Sequence, residues 1–167
     1  GEHRKGRGIH DYAFFTPSWA KRQPPLESAA MPELPEIEVL KRSLEPRLVG
    51  RRIERVLVRS PALREPLDRR QLSRRLSGRE IEGLRRRSKY LLIDCAGGST
   101  LAIHLGMSGR LTLAPSAAEA EPHEHLVLAL DRGEKLRLRD PRRFGLAFAR
   151  ATEGLEADPH FAHLGRE

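Results

Sequence analysis

The chain has 167 residues, with 31 Lys+Arg against 23 Asp+Glu, a formal net charge of +8 and 32% charged residues. That length suits one domain, or one domain with tails, and no apolar run approaches the roughly 18 residues of a membrane-spanning helix. Cys95 is the single cysteine, which excludes a disulfide scaffold and a multi-cysteine zinc site, and no basic start leads into an apolar signal region; a reduced, cytosolic compartment is expected.

Residues 1–30 hold the only Trp, end near Pro24-Pro25 and show neither a strand nor a helix period. The stretch 1–31 is expected to be a disordered extension, a cloning remnant or a start assigned too far upstream. The rest keeps 26 basic and 20 acidic residues, so the basicity belongs to the folded part. Arg excess can reflect nucleotide composition alone, so charge gives a direction toward nucleic acid and no more.

From Met31 the pattern becomes regular. Leu34, Ile37, Leu40, Leu44 and Leu48 recur every three or four residues and predict an amphipathic helix. Pro35, Glu36 and Glu38 suit its first turn, Pro46 should end or kink its last, and Gly50 suits the stop. Alternating segments follow at 52–59, 80–86, 90–94, 101–105, 110–113, 126–130, 135–139 and 146–149, with Leu67, Leu72 and Leu76 marking a short helix after the first. Tight links such as Gly97-Gly98 and Asp131-Arg132-Gly133-Glu134 imply antiparallel pairing. The expected fold class is α+β, mostly β: an antiparallel β-sandwich of about eight strands with an N-terminal helix and a second short helix.

Met31-Pro32-Glu33-Leu34-Pro35-Glu36 reads first as an ordinary helix start. If Met31 is an initiator and is removed, Pro32 presents a secondary amine with a pKa near ~8, able to attack an aldehyde-like carbon and form an iminium. Glu33 beside it can exchange protons with a reacting sugar oxygen. With residue 31 attached, the Pro32 nitrogen is a tertiary amide and cannot form a Schiff base. His123 and His125 flank Glu124, but a metal needs three or more ligands and no further cluster supports one. His125 reads as a strand-edge histidine, and Cys95 as a small buried apolar side chain.

Three segments together, MPELPEIE at 31–38, HLGMSGR at 104–110 and DPRRFG at 140–145, resemble the bacterial formamidopyrimidine-DNA glycosylases, and the resemblance runs to about Gly165. It implies removal of oxidised purines (8-oxoguanine, formamidopyrimidines) from double-stranded DNA, then AP lyase cleavage of the strand. Pro32 would be the nucleophile, Glu33 the acid for sugar opening, and Lys89 the helper of β-elimination. Met107, Arg142 and Phe144 would fill the gap left by the flipped lesion, and His104, His123, Arg142 and Arg143 would contact DNA. By the same resemblance, residues 32–160 form the catalytic domain and 161–167 begin a linker. The family's helix–two-turn–helix region and zinc finger would lie beyond Glu167, so no cofactor or metal is expected in this chain. The enzyme would be a monomer in the bacterial cytoplasm, associated with the nucleoid through DNA. Two alternatives stand beside this: an endonuclease VIII-like glycosylase for oxidised pyrimidines, and a catalytically inactive DNA-binding remnant.

Overall fold

The computed structural model describes residues 34–162 and 164. Helix α1 (Leu34–Leu48) leads into β1 (Ile53–Val58), α2 (Arg69–Leu76), β2 (Ile81–Arg87), β3 (Tyr90–Cys95) and β4 (Ser99–His104). Then follow β5 (Arg110–Pro115), β6 (Glu124–Leu130), β7 (Glu134–Arg139), β8 (Leu146–Ala151), a 3-10 turn (Leu155–Ala157) and α3 (Pro159–Ala162). Both expected helices and all eight expected strands form, and the sandwich is the observed architecture. The expectations for Pro32, Glu33 and the N-terminal stretch lie outside the described residues.

Helix α1 buries Ile37, Leu44 and Leu48 and keeps its charged residues outward. Pro46 does not end it: the helix runs on to Leu48, and Gly50 makes the exit, with φ +89 and its N–H on the Ile81 carbonyl at 2.8 Å. Helix α2 starts at Asp68, whose carboxylate accepts the Gln71 N–H at 3.0 Å, and buries Leu72 and Leu76.

The strands form two antiparallel four-stranded sheets, ordered β1-β6-β7-β5 and β2-β3-β4-β8. An isolated bridge between Arg52 and Glu80 joins them at one corner. Helix α2 packs on β1 of the first sheet and on β4 and β8 of the second, while α1 lies along β2 and β3. Alternation within strands decides the interior: Leu91, Ile93, Leu101 and Ile103 face Leu111, Leu126, Leu128 and Leu136 across it.

The second sheet is buried on its outer side too. Tyr90, Leu92, Ala102, Leu146 and Phe148 form a second core there, closed by Leu155, Phe161 and partly buried Leu164. The packed unit therefore continues past residue 160. Among the described residues no helix is long and apolar enough to cross a membrane.

The topology gathers particular loops at one end of the sandwich. Tyr90 pairs with His104 and His104 with Leu146, so the Ser88–Lys89 turn, the 105–109 loop and the 140–145 loop leave the sheet together. Helix α1 runs antiparallel to β2, with Gly50 beside Ile81 and Glu38 bonded to Arg86 at 3.2 Å. Its first turn thus arrives at the Lys89 end.

Candidate functional site

Ser88 and Lys89 form the two-residue turn between β2 and β3, and Ser88 takes φ +54 to close it. Lys89 opens onto a cavity of about 460 Å³ whose walls include Arg64, Tyr90, His104, Leu146 and His160. His104 sits edge-on to Tyr90, with ring centroids 5.0 Å apart. Its Nδ1 accepts the Gly106 N–H at 3.0 Å, so the proton of the neutral ring belongs on Nε2. Burial, reinforced by the positive charges of Arg64 and Lys89, holds its pKa below the usual histidine value. The site therefore offers an ammonium, a guanidinium and a neutral imidazole N–H donor around one cavity.

Next to it lies a buried knot. The Asp140 residue is 1% exposed. Its Oδ1 accepts the Ser108 hydroxyl at 2.6 Å and the Arg143 N–H at 3.2 Å, and its Oδ2 accepts the Gly145 N–H at 2.8 Å. The Ser108 oxygen in turn accepts the Arg142 N–H at 3.1 Å. Two loops far apart in sequence are thereby fixed to each other. Space forces the glycines: a Cβ on Gly106 would lie 2.8 Å from the Phe144 carbonyl carbon, and one on Gly145 would lie 2.6 Å from the His104 oxygen.

The knot holds large side chains out in solvent. Met107 is 37% and Phe144 43% exposed, two of the three large apolar residues so displayed among the described residues. The Arg142 guanidinium lies over the Phe144 ring, 5.1 Å from its centroid. Read alone, Phe144 suits a core; the tight loop that follows β7 leaves it no core to enter. Arg143 is exposed beside them with φ +61.

His123 reaches this end by another route. Residues 116–123 cross the outer face of the first sheet as a strap, tied down by β7: Lys135 Nζ donates to Ala118 O at 2.6 Å, Arg137 Nη1 to Glu119 O at 3.2 Å and Arg139 Nε to Pro122 O at 3.1 Å. His123 is exposed where the strap ends, and its carbonyl accepts the Asp140 N–H at 3.0 Å. Its neighbours point elsewhere. The Glu124 carboxylate is bonded by Arg59 at 2.7 Å and Arg137 at 3.5 Å. His125 is not at a sheet edge: β6 lies between β1 and β7, and the ring is buried with its nitrogens 3.0 Å from the Ser60 and Asp140 carbonyl oxygens. The bulge between Glu124 and Leu126 turns it inward, a feature alternation alone does not reveal. Among the described residues no group of His, Cys, Asp and Glu is arranged to hold a metal ion.

The structure thus brings Lys89 and His104 to one cavity, sets Met107, Arg142, Arg143 and Phe144 on the adjoining knot, and adds His123 beside Asp140. Four further residues were not singled out in the sequence. Asp140 and Ser108 sit inside motifs whose other members drew the attention. Arg64 donates from Nε to the Phe144 carbonyl at 2.9 Å and from its backbone to Gly145 O at 3.2 Å; it looks like one more surface arginine. His160 bonds Asp158 at 2.6 Å and Glu65 at 2.9 Å and stacks on Phe148 at 4.1 Å. Burial opposes its charge, but those two carboxylates prevail and hold its pKa above the usual value. No sequence period marks it.

Comparison with known proteins decides the family. The model for the formamidopyrimidine-DNA glycosylase N-terminal domain matches residues 31–147. The chain belongs to the formamidopyrimidine-DNA glycosylase family. The formamidopyrimidine-DNA glycosylase of Stutzerimonas stutzeri is 54% identical over 115 residues, covering 69% of this chain and 42% of that protein. That of Rhodospirillum rubrum is 46% identical over 139 residues, covering 82% and 49%. Among solved structures, the Lactococcus lactis formamidopyrimidine-DNA glycosylase non-covalently bound to DNA containing an AP site superposes with a TM-score of 0.70 at 34% identity, covering 78% of this chain and 48% of that one. The same glycosylase with DNA containing a formamidopyrimidine lesion gives 0.69 at 34% identity, again covering 78% and 48%. The chain spans about half the length of the curated glycosylases it matches.

Proposed function

We propose that this chain is the lesion-handling domain of a base-excision repair enzyme, a DNA glycosylase with AP lyase activity that acts on oxidised purines in double-stranded DNA. The observation that carries the reading is the knot at Asp140. It holds Met107, Arg142 and Phe144 out of the core beside a cavity furnished with Lys89, Arg64 and His104.

Each group has a task. Flipping a damaged base leaves a hole in the stack and costs a few kcal/mol, which inserted apolar and planar side chains offset in part. Met107 and Phe144 supply apolar surface for that hole, and the Arg142 fork can donate to the base left unpaired. The neutral Nε2–H of His104 and the charges of Arg64 and Lys89 suit phosphate oxygens on the strand being bent, with His123 and Arg143 extending the contact.

The chemistry rests on Pro32 and Glu33, which the sequence places two residues and one residue before α1, whose first turn reaches the Lys89 end. Two residues span no more than roughly 7 Å of chain. The Pro32 secondary amine attacks C1′, the glycosidic bond breaks, and the base departs with its bonding pair and takes up a proton. Glu33 protonates the sugar ring oxygen as the ring opens, leaving an iminium between Pro32 and C1′. Loss of a C2′ proton, assisted by Lys89, then expels the 3′ phosphate by β-elimination. The step needs Pro32 as the first residue, because an acylated proline nitrogen has no available lone pair.

The test is borohydride trapping on abasic duplex DNA, with the chain produced to begin at Pro32. A covalent adduct is expected, lost in Pro32→Gly, together with faster release of 8-oxoguanine opposite cytosine than of thymine glycol. A chain with verified Pro32 terminus that traps nothing refutes the lyase assignment. Preference for the pyrimidine lesion would move the chain to the endonuclease VIII-like branch.

A further inference from the structure

Away from the Asp140 knot, β1 is the edge of its sheet, β1-β6-β7-β5. Ile53 at its start is bonded to the 78–79 segment (Ile53 N–H to Arg79 O at 2.9 Å, Gly78 N–H to Ile53 O at 2.6 Å), and beyond Ile53 no described strand pairs with it. In an antiparallel ladder alternate residues turn their main-chain groups toward the partner and away from it. Arg59 donates its N–H to His125 O at 2.9 Å, so the neighbouring parity, Val56 and Val58, faces outward. The Val58 carbonyl is already used by a side chain, accepting Arg69 Nη1 at 2.7 Å. A groove of about 390 Å³ follows this edge, walled by Val56, Leu57, Val58 and Arg59 on one side and Arg69 and Ser73 of α2 on the other.

The charge around the groove is mostly positive, although Glu54 of β1 and Asp68 at the start of α2 are exposed nearby and Arg59 is paired with Glu124 at 2.7 Å. Helix α2 contains four arginines and no acidic residue in its eight positions. Arg55, Arg70 and Arg74 are exposed, and among the described residues none of them has an ion-pair or hydrogen-bond partner. An open edge invites a further strand, and like charges deter a second copy of the same edge from supplying it. The same arginines attract a strand rich in carboxylates. The amide period of the edge and its Val and Leu walls match a peptide backbone with small apolar side chains; a nucleic acid carries no such period.

We propose that the β1 edge and α2 form a docking groove for an extended acidic peptide of a partner protein, which adds to the sheet as a fifth strand. Main-chain bonds to the N–H and carbonyl of Val56 and to the N–H of Val58 set its register, and Arg55, Arg70 and Arg74 select its charge. The surface is separate from the residues assigned to DNA, so it stands whether or not the glycosylase reading does.

The probe is a fluorescein-labelled peptide as long as β1 that alternates Glu with Val, titrated into the full chain by fluorescence anisotropy. Saturable binding is expected, weakened about tenfold in the exposed double variant Arg70→Glu with Arg74→Glu, because attraction becomes repulsion at two surface positions. Methylating every second peptide amide should abolish binding at unchanged charge, and the Val56 and Val58 amides should exchange more slowly in the complex. Undiminished binding of the methylated peptide overturns strand addition. No binding at millimolar peptide overturns the site, and tighter binding of oligo-dT with the same arginine dependence assigns the groove to nucleic acid instead.

Discussion

Replacing Asp140 by Ala should be the most damaging single polar substitution at the site. The carboxylate is buried and accepts from Ser108, Arg143 and Gly145. Removing it forfeits a charge-assisted bond to Ser108, about 1.5–3 kcal/mol, and strands the buried Gly145 N–H, about 1–3 kcal/mol. The Arg143 N–H adds little, since an exposed residue can turn to water. The sum is about 3–5 kcal/mol, a third or more of a typical domain's stability. A Tm drop on the order of 10–20 °C follows. Asp140→Asn keeps one acceptor for Gly145 and can donate to the Ser108 oxygen, so about 1–2 kcal/mol is expected, as for Ser108→Ala. Guanidinium unfolding gives the stabilities, and limited trypsin digestion at Arg142 and Arg143 reports whether the loop has come loose. If Asp140→Ala lies within about 1 kcal/mol of the parent, the knot does not hold the loops and the reasoning fails.

Other consequences can be measured independently. Gly106→Ala places a Cβ against the Phe144 backbone at φ +60, whereas Gly133→Ala meets nothing within 4 Å at φ +74. Both should lose about 1–2 kcal/mol to backbone strain, but only the first should weaken binding to abasic duplex DNA. His160 carries a raised pKa, so its contribution is complete below its ordinary value of 6.5 and is lost as pH rises through the folded value. The stability gap between parent and His160→Gln should therefore be larger at about pH 6 than at about pH 9; an equal gap at both refutes the charged pairing. Burial, helped by the Asp94 charge, pushes the Cys95 thiol up to about 12. Iodoacetamide at about pH 8 should label it only at the rate of global unfolding, and labelling within minutes under native conditions would contradict that burial.

The strands were legible because each alternates over an interior that both sheets share; Leu91, Ile93, Leu101 and Ile103 could face only one way. Met107, Arg142 and Phe144 were legible through resemblance, not pattern, since nothing in the local sequence says that Phe144 stays outside. What holds them was hidden. Asp140 and Ser108 lie 32 residues apart and meet only after both sheets have docked, a contact that no period encodes. His160 and Phe161 stayed unread for a related reason: α3 is a four-residue helix, too short to show periodicity, and its partners Phe148 and Glu65 are distant in the chain. The inward turn of His125 depends on a bulge, which shifts the parity on which reading a strand relies.

The strap at residues 116–123 has one more consequence. Lys135, Arg137 and Arg139 grip it by the carbonyl oxygens of Ala118, Glu119 and Pro122, groups that every amino acid possesses. The identity of those three residues is therefore uncoupled from their anchorage, and the exposed Ser116, Ala117, Glu119 and Ala120 can be exchanged without untying it. Evolution, or an experimenter placing a spectroscopic label, has a free hand at those four positions, whereas Glu121 further along is held by its side chain, 3.4 Å from Arg137 and 3.3 Å from Arg139. His123 still arrives beside Asp140, because the path to it is specified from the strand beneath.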